Sequence, residues 1–100
     1  MARSETPRRR RRAGFERVAD LLDQLREFSE LREPRPAEFE FESRSFLHFH
    51  YGANSTIVAD VRLSDRRFIP FDVSDEAGQQ EVLAAIESYL ENRRGGQRAR

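Results

Sequence analysis

"EFEFESRSFLHFHYGANSTIVADVRL", residues 38–63, decides the fold, because its apolar side chains recur at every second position. Phe39 and Phe41 alternate with Glu38, Glu40 and Glu42. Leu47, Phe49 and Tyr51 alternate with Phe46, His48 and His50, and Ile57, Ala59, Val61 and Leu63 with Thr56, Val58, Asp60 and Arg62. A period of two places successive side chains on opposite faces of a strand, so this stretch predicts three strands, each with one apolar face. "RFIPFDV", residues 67–73, predicts a fourth with Ile69, Phe71 and Val73 on one side. Its Pro70 has no N–H for a sheet ladder and therefore points to an edge position.

On either side of the strands the period changes to that of a helix. In "FERVADLLDQLREFSELRE", residues 15–33, Phe15, Val18, Leu21, Leu22, Leu25 and Phe28 fall three or four apart. This predicts one amphipathic helix that stops near Glu33, ahead of Pro34 and Pro36. In residues 74–96, Val82, Leu83, Ile86, Tyr89 and Leu90 repeat the pattern, with Ser74 or Asp75 as a cap and Gly95 as a stop. The expected fold is α+β, a four-stranded antiparallel meander with an N-terminal and a C-terminal helix packed on one face (α-β-β-β-β-α), in a single domain over residues 13–92.

The loops suggest a register. "GAN" suits a three-residue hairpin with Asn54 in a left-handed conformation, which pairs Tyr51 with Ser55, Phe49 with Ile57 and Leu47 with Ala59. The outer face then sets His50 against Thr56, His48 against Val58 and Phe46 against Asp60. A similar turn at "SRS" sets Glu42, Glu40 and Glu38 opposite Phe46, His48 and His50.

Composition excludes several chemistries. The 100 residues contain no cysteine, and all 18 basic residues are arginine, so thiolate nucleophiles, disulfides, cysteine metal sites and lysine Schiff bases are absent. No serine or threonine sits in a nucleophile elbow, no glycine-rich phosphate loop occurs, and a flat sheet face is a poor pocket, so no enzyme activity is expected. No apolar run is long enough to span a membrane, the basic start lacks the apolar segment of a signal peptide, and a cytoplasmic location is expected. No cofactor is expected either.

The zero formal net charge conceals a strong polarity. Residues 1–12 carry six arginines against Glu5, a net +5; residues 93–100 carry +4; and the body, 13–92, carries −9. Both ends read as disordered basic tails. Arg8, Arg9, Arg10, Arg11 and Arg12 form a candidate nonspecific nucleic-acid contact, although the acidic body would repel a phosphate backbone.

The outer sheet face carries the remaining candidates. Phe46, His48, His50, Val58 and Phe68 form a mixed apolar and polar surface, which predicts a non-enzymatic interaction module that docks a protein partner or a second copy as a homodimer. His48 and His50 lie two apart on one strand, about 7 Å between α-carbons, and could chelate a metal if Glu40 or Asp60 supplied a third ligand. Residues 43–63, with FLHFH and ADVR strands, and the closing stretch "FIPFDVSDEAGQQEVLAAIESYL" resemble a group of short, uncharacterised bacterial proteins in which similar strands and a closing helix recur. That resemblance implies no activity.

Overall fold

The alternating residues form the strands that their period predicts, and one more strand joins them. In the computed structural model, which describes residues 14–98 with side chains to residue 95, five strands run in the order β1-β2-β3-β4-β5, each antiparallel to the next. They are β1 (Leu31–Arg35), β2 (Glu38–Phe41), β3 (Arg44–Tyr51), β4 (Ile57–Val61) and β5 (Ile69–Asp72). A short helix, α1 (Ala19–Leu25), precedes the sheet and a long one, α2 (Glu76–Arg98), follows it. No helix among the described residues is long and apolar enough to cross a membrane.

The extra strand corrects the sequence reading of residues 26–35. Instead of continuing α1 to Glu33, the chain leaves the helix through tight turns at Phe28 and Leu31. It then pairs Leu31 with Phe41 and Arg32 with Glu40. Helical spacing at Phe28 loses to this pairing, because the ladder satisfies the backbone and leaves Pro34 in an irregularity on an edge strand, where its missing N–H costs little. Pro70 sits on the other edge, in β5, as expected. Charged and proline-bearing edges of this kind discourage edge-to-edge pairing between copies.

At the other end, α2 runs through Gly95 to Arg98 rather than stopping at Gly95 with a disordered tail from 93. Arg93 pairs with Glu42 and Arg94 with Glu30, which ties these turns of the helix to the β2–β3 turn and to the turn ahead of β1. The N-terminal tail and its arginines, Arg8 to Arg12, lie outside the described residues.

One core joins both helices to one face of the sheet. Val18, Leu21, Leu22 and Leu25 meet Val82, Leu83, Ile86 and Leu90 above Phe39, Leu47, Ile57, Ala59 and Val61. Phe46 belongs to the same core at 1% exposure, with its ring 5.7 Å from that of Phe41 and 5.8 Å from that of Tyr89 on α2. This corrects its expected place on the outer face, and the cause is a β-bulge. Phe39 pairs with Leu47 while Glu40 pairs with Ser45, so Phe46 is an extra residue and turns inward beside Leu47. The turn before it is also tighter than expected. Glu42 and Ser43 alone span it, at φ 54 and 66, a two-residue geometry that usually recruits Asn-Gly and so left no signal in "SRS".

Two contacts outside the core yield tests. Asp75 caps α2 by accepting the Gly78 N–H at 2.9 Å, and there the helix approaches β5 so closely that a Cβ at Gly78 would lie 1.9 Å from the Asp72 carbonyl oxygen. Alanine for glycine inside a helix ordinarily stabilises by about 1 kcal/mol. Gly78→Ala is expected to do the opposite, lowering stability by about 2–3 kcal/mol in urea denaturation, because backbone must move to admit the methyl group.

Glu33 accepts hydrogen bonds from Arg26 at 2.8 and 3.0 Å and from the Ala37 backbone N–H at 2.8 Å. The Arg26 bond above all holds its carboxyl below the ordinary value of 4.5. A depressed carboxylate adds stability that is complete above the unfolded value and is lost as pH falls through the folded one. Glu33→Gln is therefore expected to lower stability at neutral pH and to flatten the acid limb of the stability curve, as measured by denaturation between about pH 3 and 7.

Candidate functional site

The outer face is built by alternation on β3 and β4. With Leu47, Phe49 and Tyr51 turned to the helices, His48 and His50 must face outward, and the ladder sets Asp60 opposite His48 and Val58 opposite His50. This register differs by two residues from the expected one. The β3–β4 loop spans residues 52–56 and contains a turn of 3₁₀ helix, Ala53–Ser55, with both Asn54 and Ser55 left-handed at φ 60 and 61. A shift of two preserves every face and changes every partner. Asp60, expected across from Phe46, thus arrives beside the histidines.

Asp60 Oδ2 lies 2.6 Å from His50 Nε2 and 3.5 Å from His48 Nε2. One donor atom from each of the three residues falls within 4.8 Å of the others. The imidazoles stand edge to face, with centroids 5.0 Å apart. Asp60 is the most enclosed of the three, at 21% side-chain exposure, against 35% for His48 and 61% for His50. The carboxylate is therefore the floor of the cluster and His50 its open rim.

Phe68 walls one side. Its ring centre is 4.9 Å from that of His48, and the Arg62 guanidinium stacks 4.6 Å from the ring centre on Phe68. Arg62 is held in turn by donating Nε–H to the Ser45 carbonyl at 2.9 Å. These contacts restrict the His48 ring and leave His50 freer.

Of the five residues expected on an outer interface, His48, His50, Val58 and Phe68 are partly exposed and Phe46 is buried. Of the two carboxylates weighed as a third ligand, Asp60 joins the histidines, whereas Glu40 pairs with Arg32 and Ser45. The stacking of Arg62 on Phe68 had no signal in the sequence, since it depends on the path of the β4–β5 loop.

Two imidazole nitrogens and a carboxylate oxygen are a donor set for a borderline divalent ion such as zinc. Ligands at about 2.0–2.1 Å from a tetrahedral zinc stand roughly 3.3 Å apart. The 3.5 Å separation already matches, the 2.6 Å one has to open by less than an ångström, and the two histidine donors, within 4.8 Å of each other, have to draw together on the ion. His50, at the exposed rim, is the side chain best placed to make that adjustment. No protein-family model, curated protein or solved structure matches this chain.

Proposed function

We propose that this chain is a metal-binding protein whose centre is His48, His50 and Asp60 on the outer face of the sheet. The observation that carries the reading is the convergence of three donor atoms of suitable type within 4.8 Å. In the sequence the His-x-His pair lacked an identified third ligand, and Asp60 answers that objection. Its backbone position follows from strand register, so only side-chain freedom is left to be lost on binding.

The nitrogen-rich donor set favours zinc, nickel or copper(II) over magnesium or calcium, which prefer all-oxygen sites. Three protein ligands on an open face leave at least one coordination position for water or for a donor from another molecule. The wider reading of this face as a protein-interaction or homodimer surface keeps Val58 and Phe68 but loses Phe46, one of its two phenylalanines. The metal reading is therefore the better supported of the two.

Zinc at tenfold its dissociation constant is expected to stabilise the fold by about 1.4 kcal/mol, a rise in Tm of roughly 6–10 °C for a domain of this size. His48→Ala, His50→Ala and Asp60→Asn should each remove most of that rise while leaving the circular dichroism spectrum unchanged, since all three residues are at least partly exposed. The proposal fails if zinc, nickel and copper(II) all leave the melting curve unmoved, or if the shift survives in every variant.

A further inference from the structure

A second polar site lies at the end of the sheet where the β2–β3 turn, the β4–β5 loop and the last turns of α2 meet. Arg44, Arg62 and Arg93 line a cavity of about 110 Å³ there, with Phe46 and Tyr89 among its apolar walls. Two carboxylates, Glu42 and Asp65, also border it. Glu42 binds Arg93 at 2.6 Å. Neither Arg44 nor Arg62 has an ion-pair partner among the described residues.

We infer that this cavity is a binding site for a tetrahedral oxyanion, either free phosphate or the phosphoryl group of a small molecule. Three arginines and two acidic residues line it, a local surplus of positive charge within a body that is strongly acidic as a whole. Two of the three are also positioned in advance. Arg62 is fixed by Ser45 and Phe68. Arg93 is fixed by Glu42 and lies 5.4 and 5.8 Å from the ring centres of Phe41 and Tyr89. Planar, immobilised guanidiniums suit the paired oxygens of a phosphoryl group and lose little freedom on binding it.

The cavity, about 110 Å³, has room for one oxyanion or phosphoryl group, and the rest of a larger ligand would project from its mouth. Asp65 opposes binding and moderates affinity, while Arg44, exposed and unpaired, is the residue most able to close on the anion. This site uses none of the three proposed metal ligands; Arg62, stacked on the Phe68 beside His48, is the residue the two neighbourhoods share, and the Arg44 and Asp65 variants tested below leave it in place.

The test is an NMR titration of the protein with inorganic phosphate, following the arginine Nε–Hε signals and the amides of residues 44–46, with sodium chloride at matched ionic strength as control. Saturable shifts in phosphate but not chloride are expected. Arg44→Gln should weaken the affinity about tenfold and Asp65→Asn should strengthen it severalfold, the sign expected when a charge-assisted contact or a repulsive charge is removed. O-phosphoserine run in parallel separates the sources: tighter binding than phosphate supports a phosphoryl end, and weaker binding supports the free ion. Shifts that do not saturate, that chloride reproduces, or that Arg44→Gln leaves unchanged would overturn the inference.

Discussion

The extra residue at Phe46 governs what the outer face can be. In a regular ladder Phe46 and Leu47 would point to opposite sides of the sheet, and a large apolar ring would lie beside the histidines. The bulge gives up ladder regularity and turns both side chains inward. Burying a phenylalanine side chain contributes about 1.5–3 kcal/mol, and its contacts with Phe41 and Tyr89 add to that. The two-residue turn at Glu42 and Ser43 sets Glu40 opposite Ser45 instead of His48. Among the described residues, the carboxylate grouped with the two imidazoles is that of Asp60.

The β3–β4 loop makes the second decision. With the shorter turn suggested by "GAN", Val58 would stand across from His48 and no third donor would be near. The longer loop, with two consecutive left-handed residues at Asn54 and Ser55, brings Asp60 there. Left-handed backbone costs on the order of 1 kcal/mol at a residue other than glycine. Neighbouring contacts support the loop: Arg17 donates to the Ser55 and Ser74 carbonyls, and Gly52 N–H bonds the Thr56 carbonyl at 2.9 Å. The candidate centre is thus a consequence of loop length and of one bulge, both remote from any metal chemistry.

Much of this was legible in the sequence because periodicity reports on faces. The alternation in residues 38–63 set the inward and outward sides of β4, and of β3 from Leu47 onward, correctly, and Pro70 marked its edge. Register was not legible, because a shift of two leaves the pattern of faces intact. Phe46 was misplaced for a related reason, since a bulge is invisible to a period-two reading. The first strand was hidden by Phe28 and Leu31, whose spacing suits a helix as well as a turn and a strand, and by Pro34, which marks an edge strand as readily as a helix end. The arginine cavity left no trace, for Arg44, Arg62 and Arg93 come together only through tertiary packing.

The central claim is that His48, His50 and Asp60 close together on one ion. Long-range ¹H–¹⁵N correlation of the two imidazoles during a zinc titration reads this atom by atom. The Nε2 resonances of His48 and His50 are expected to move in concert and to stop moving at one equivalent, with both rings in the tautomer protonated at Nδ1. Movement of one ring without the other, a change centred on Nδ1, or no change at saturating zinc would contradict it.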